Sequence, residues 1–239
     1  MLSALNRIGF FHRALVLPER GLGLHVMPAG AGYARETSPS YRWSGRQRGP
    51  GEMTIWQYTI SGRGELLFDG QRQRVSAGQA MLLAVPHDHI YYLPRDSDHW
   101  EFFYLNLVGA EALRLWRELI RVAGPVQRFT PDAPAVRQGV KLANAIRASR
   151  FDSPFPASSL AYGWLMQVAE AILPHGHGAG VAPPWLEAVL RRCQTGLAED
   201  LQVDDLAAAA GFSRYHFSRE FRRAQGVPPG TYLRRLRLR

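Results

Sequence analysis

Near residue 109 the hydrophobic repeat changes from two to between three and four, and this change limits the architecture more than any other feature of the sequence. Residues 22–108 read as strands. Met53–Ile60 alternates, which sets Trp56, Tyr58 and Ile60 on one face. A turn follows at Ser61-Gly62-Arg63-Gly64, then a short strand at Glu65–Phe68. Asp69-Gly70 predicts a two-residue hairpin of type I′, because both central positions of that turn need positive φ. Gln71–Val75 returns, Ser76-Ala77-Gly78-Gln79 turns again, and Ala80–Val85 is a buried apolar strand. Short strands His89–Leu93 and Trp100–Val108 come after Pro86, the latter with Trp100, Phe102 and Tyr104 on one face. Many short strands at this spacing predict a barrel or a double-sheet jelly roll.

Residues 109–173 take the helical repeat instead: Leu113, Trp116 and Ile120, then Val136, Val140 and Ala143, then Leu160, Trp164, Val168 and Ile172, with Ser158 and Ser159 as capping candidates. The stretch 174–184, PHGHGAGVAPP, has no period and reads as a linker. Helical pattern resumes at Trp185. The chain is therefore read as α+β, with three parts: a domain at 1–173, a linker at 174–184 and an all-α domain at 185–239. The single Cys193 excludes an internal disulfide framework. With no apolar run long enough for a membrane span and no signal-peptide pattern at the N-terminus, a cytoplasmic location is expected.

Charge singles out the C-terminal end. Of a formal net charge of +9, residues 214–239 contribute eight arginines against one acid, Glu220. A solvated basic tail would explain the charge alone, but the pattern upstream is more specific. Val203–Ala210 is a short helix with Asp204 and Asp205 in its first turn, where the helix dipole favours them. Gly211 sits where the chain must turn, and Ser213 caps a second helix. Helix, glycine-containing turn and helix is the helix-turn-helix layout. At about 100° per residue, Phe217 and Phe221 fall within about 40° of each other and point inward, with Tyr215, Arg219 and Arg222 roughly opposite. A face of arginine, planar aromatic and hydroxyl suits the major groove of double-stranded DNA, where arginine donates a bidentate pair to guanine.

At these residues the chain resembles the AraC family of bacterial regulators. The resemblance is carried by Leu206-Ala207, the run Gly211-Phe212-Ser213-Arg214-Tyr215-His216-Phe217-Ser218-Arg219, then Phe221, Gly226, Pro228, Tyr232-Leu233 and Arg237-Leu238. It implies that Tyr215, Ser218 and Arg219 face bases, that Arg214, His216 and Arg222 meet phosphates, and that the apolar positions and Gly211 hold the motif's shape. Gln202 stands where the family usually has a Ser or Thr cap. The family's DNA-binding domain has two helix-turn-helix units, and this sequence stops at Arg239, before the second, so weak and strongly salt-dependent DNA binding is expected of it alone.

The run from Gly62 to Leu93 is similar to the cupin-type barrel at the N-terminus of many members of that family. The resemblance implies a small-molecule effector, often a sugar, inside the barrel, with the helical zone offering a homodimer surface and RNA polymerase as a further partner. Candidate ligand-binding residues are Trp56, Tyr58, His89, Tyr92, Trp100 and Tyr104, with Arg48 or Arg46 from the preceding loop, since aromatic faces suit sugar C–H surfaces and Arg or His can bond hydroxyls. Inward aromatic residues also simply fill small barrels. His87-Asp88-His89, with His99 and Glu101 downstream, has a metal-compatible spacing, but the glutamate and second histidine motif of enzymatic cupins do not follow at matching distance. No metal, cofactor or enzymatic activity is expected. The alternatives are a cupin-fold enzyme with a helical tail, and a ligand-binding protein lacking competent DNA binding because of truncation. The face Leu160, Trp164 and Val168 is the candidate dimer surface, weighed evenly against packing within the chain.

Overall fold

The computed structural model of the chain describes residues 9–15, 23–49, 51–173, 183–195 and 201–237. The chain divides into two compact units, Met1–Pro174 and His175–Arg239. Most of the expected linker, 174–182, lies outside the described residues.

The first unit contains, among the described residues, strands β1 (Phe11–Ala14), β2 (Met27–Glu36), β3 (Arg42–Ser44), β4 (Met53–Phe68), β5 (Gln71–Ser76), β6 (Gln79–Val85), β7 (His89–Tyr92) and β8 (Trp100–Val108). Helix α1 (Ala110–Ala123), strand β9 (Val126–Arg128) and helices α2 (Pro134–Arg147) and α3 (Pro154–Ile172) follow. One antiparallel sheet runs β1-β2-β8-β4-β6-β9, while β3, β5 and β7 join through β4 and β7 on the other side of the barrel. The long strand β4 therefore belongs to both layers: its first half pairs with β6 and β8, and its second half with β5 and β7.

β4 differs from the expectation of two strands separated by a turn at 61–64. It continues through that stretch, and its register with β8 shifts between Thr59 and Ser61. The glycines there serve close approach, not reversal: a Cβ on Gly64 would lie 2.3 Å from the Trp100 ring. The reversal comes at Asp69-Gly70, both with positive φ (48° and 78°), as the dipeptide predicts. Strand β9 carries no sequence signal of its own. It adds to the edge of β6 after α1 has turned the chain back.

Each side of the sheet has its own core, set by the alternation along β4 and β8. Trp56, Tyr58, Phe103, Leu105 and Leu107 face outward and are covered by α1–α3, whose Trp116 and Trp164 pack there. The Trp56 and Trp164 rings meet edge to face at 5.4 Å, and the Trp164 indole donates to the Ala135 carbonyl at 3.0 Å. Ile55, Leu66, Tyr91, Trp100 and Phe102 face the barrel interior. Helix α3 begins at Pro154, earlier than the serines at 158 and 159 suggest, and the Ser158 hydroxyl donates to the Val26 carbonyl at 2.8 Å instead of capping.

The second unit holds α4 (Pro184–Thr195), α5 (Val203–Ala209), α6 (Arg214–Gln225) and α7 (Pro229–Arg237). Its core is Leu186, Val189, Cys193, Leu206, Phe217, Phe221 and Leu233. The missing Ser/Thr cap of α5 is made good by Asp205, whose carboxylate accepts from the Gln202 amide at 2.8 Å. No helix among the described residues is long and apolar enough to cross a membrane.

Candidate nucleic-acid interface and interior cavity

Helix α6 is set by local chemistry at both ends. The Ser213 hydroxyl accepts from the His216 amide at 3.4 Å, and Gly226, with φ of 74°, closes the last turn by donating to the Arg222 carbonyl at 2.8 Å. Gly211 takes φ of 70° in the turn before it. Phe217 and Phe221 are fully buried, whereas Tyr215 is 81 % exposed. Arg219 and Arg222 lie on the solvent side with Tyr215, and Ser218 sits half-buried beside them. Arg219 touches Glu220 (Nε to Oε1, 3.2 Å) and His216 (3.2 Å to Nδ1), both exposed contacts of the kind that cost little to exchange for another partner. Arg214 reaches back to Asp204 on α5 at 3.0 Å, and the His216 ring stands edge-on against Phe212 at 4.6 Å. The six residues expected to meet DNA thus lie on α6, which presents its polar side to solvent.

In the first unit, the inward residues of β4 and β8 open onto a cavity of about 340 Å³. Ile55, Gln57, Phe102, Tyr104 and Asn106 form its sheet wall. Trp43 and Tyr91 come from the facing strands β3 and β7, Tyr41 and Arg48 from the segments on either side of β3, and His12 and Glu36 from β1 and the end of β2. Tyr104 Oη and His12 Nδ1 are 3.2 Å apart. The Arg48 guanidinium lies over the Trp43 ring, 4.1 Å from its centroid, and 5.4 Å from that of Tyr91. Burial pushes the Tyr41 and Tyr104 phenols above their ordinary value and pulls the Arg48 guanidinium below its own.

Of the ligand-binding candidates, Arg48 and Tyr104 line this cavity. Trp56 and Tyr58 do not. They sit on the opposite face of β4, fully buried against the helices, because that face is as apolar as the interior one. Trp100 lies behind the cavity wall: its indole donates to Thr59 Oγ1 at 2.9 Å, and its ring packs against those of Phe102 (5.3 Å) and Tyr41 (6.0 Å). Tyr92 points away from the interior and donates to Glu65 at 2.5 Å. His89 is buried in a stack with His87 and Phe68, and burial pulls its imidazole down to about 4. His99 and Glu101 bond Ser61 instead of approaching His87, Arg46 pairs with Asp88 at the surface, and no group of three or more potential metal ligands converges among the described residues. Gln57 and Asn106 escape the sequence reading, although an amide at an inward position of an otherwise apolar strand is a usable signal for a polar ligand contact. Trp164 and Val168 are buried inside this chain, which removes them from the candidate dimer face and leaves Leu160 exposed.

Comparison with known proteins falls into line with this division. Residues 37–164 match the family profile described as AraC-like ligand binding domain, and residues 197–234 match that of bacterial regulatory helix-turn-helix proteins of the AraC family. The HTH-type transcriptional activator AarP of Providencia stuartii is 34 % identical over 53 residues, a stretch covering 22 % of this chain and 39 % of that protein. Among solved structures, the AraC-like transcriptional activator CuxR is 16 % identical, with 87 % of this chain and 75 % of that one covered at a TM-score of 0.39. ToxT from Vibrio cholerae is 10 % identical, with 85 % and 97 % covered at 0.34.

Proposed function

The chain belongs to the AraC family of bacterial regulators, and from that membership we propose that it is a ligand-responsive, DNA-binding transcription regulator and not an enzyme. The observation that carries the reading is the division of α6 into a buried Phe217/Phe221 side and a solvent side bearing Tyr215, Arg219 and Arg222. In this reading α6 enters the major groove, Tyr215, Ser218 and Arg219 read base edges, and Arg214, His216 and Arg222 position the helix on phosphates. Residues 1–173 sense the effector, 174–184 link, and 185–239 bind DNA. A homodimer in the cytoplasm would present two recognition helices to half-sites one or more helical turns apart, and bound effector would alter DNA occupancy and contact with RNA polymerase.

The test is selection of bound sequences from a random duplex library by the full chain, followed by titration of single variants. Arg219→Ala lowers affinity for the selected site by about 1–3 kcal/mol and relaxes the sequence preference at one position, whereas Arg222→Ala weakens binding to all sequences and reduces the salt slope by about 1. No selected sequence, or full affinity in Arg219→Ala, would refute the reading.

A further inference from the structure

Among the described residues the cavity in the first unit is lined by one guanidinium, that of Arg48. Arg48 cannot release its proton, and a guanidinium drawn away from water needs an anion or a full set of acceptors. The Tyr41 and Tyr104 phenols that act on it are kept neutral by burial, as is the nearby His89 imidazole. Glu36 also lines the cavity, where it acts on Tyr41. The Arg48 Nε is buried and has no hydrogen-bond partner among the described residues, and the same is true of Asn106 Oδ1 on the sheet wall. The guanidinium carbon lies 4.1 Å from the Trp43 ring centroid, so the aromatic face covers one side of the group.

We propose that the effector is an organic carboxylate with a flat, unsaturated body, its carboxylate paired side-on with the Arg48 guanidinium and its body lying among Trp43, Tyr91 and Phe102. The inference rests on the reading of this unit as an effector-binding domain. A carboxylate accepts two parallel N–H bonds from the Nε and Nη edge of arginine, and Nε on that edge has no partner among the described residues. A neutral sugar would satisfy hydroxyl contacts and leave the charge unpaired. Phosphate is the poorer fit, because Arg48 is the one Lys or Arg in the cavity lining among the described residues and a phosphate dianion calls for more cations. A volume of about 340 Å³ suits a small aromatic acid, at the lower end of ligand pockets.

The experiment uses the full chain with benzoate and cinnamate, their uncharged amides benzamide and cinnamamide, and arabinose, measured by calorimetry and thermal shift. At least one carboxylate binds and raises the melting temperature, and its amide binds at least about tenfold more weakly, since the charge-assisted pair is lost. Arg48→Gln removes that preference while still melting cooperatively. Arg48→Lys keeps the charge but not the paired geometry, and recovers the affinity only in part. Equal binding of acid and amide, carboxylate binding undiminished in Arg48→Gln, or binding of arabinose alone would overturn the proposal, as would no binding by any of the five. Arabinose binding alone would sink the carboxylate and leave the effector-domain reading standing. A carboxylate that binds through Arg48 without changing DNA occupancy would sink the regulatory coupling and leave the proposed ligand class intact.

Discussion

His89 shows how a single side chain couples the barrel to pH. It is 2 % exposed, both ring nitrogens lack a hydrogen-bond partner among the described residues, and Gly45 is packed so close that a Cβ there would lie 2.3 Å from the ring. Burial and the neighbouring His87 and Arg48 hold it neutral, down to about 4 from 6.5. Between those values the unfolded chain binds the proton and the folded chain does not, so stability falls as pH drops from about 6.5 to about 4 and then levels off. The size of the loss is about 3 kcal/mol. His89→Phe flattens the denaturation midpoint across that window, and an unchanged slope in urea titrations would refute the assignment. The sequence places His89 on a strand and inside the barrel, but does not show that its ring nitrogens would be left without partners, since that depends on the packing of Gly45 and Phe68 around it. Trp56 and Tyr58 illustrate the same limit. Their alternation was plain, but period two states only that two faces differ, not which one encloses the cavity, and here both faces are covered. In α6 the inside was legible, because one side is aromatic and the other is arginine.

Among the elements, β4 departs most from its sequence pattern. Ser61-Gly62-Arg63-Gly64 has the composition of a turn, but long-range packing overrides that preference: the strand continues past Gly62, which takes a positive φ of 68° beside the register shift, and Trp100 occupies the space a side chain at 64 would need. Gly64→Ala therefore destabilises the first unit by about 1–3 kcal/mol through overpacking against a rigid buried ring, readable as a lowered melting temperature with unchanged affinity of the second unit for DNA. A neutral effect would show that the strand moves freely at that point. The Asp69-Gly70 turn and the Ser213 cap were legible because each depends on the residues immediately around it. Strand β9 was not, since its three residues are a strand only by virtue of the β6 edge they meet.

At the scale of the whole molecule, the two units close their cores separately: the barrel and its helices bury one set of residues, and α4–α7 bury another. A chain ending at Leu173 is therefore expected to melt cooperatively on its own, followed by circular dichroism, and to lack DNA affinity. A broad, uncooperative transition would show that the first unit depends on the second. In the sequence the Gly/Pro stretch at 174–184 is the signal nearest the boundary between the units, a property of a window and not of a single position, whereas the change of hydrophobic period near 109 falls inside the first unit.

The shared strand has one more consequence. Gln57 looks into the cavity while Trp56 and Tyr58, its immediate neighbours, are wedged beneath the helical layer. Only the thickness of one polypeptide ribbon separates the two compartments. A guest that displaces this ribbon carries Trp56 with it and presses on Trp164 across their edge-to-face contact, so the partition between the compartments works as a diaphragm and not as a bulkhead.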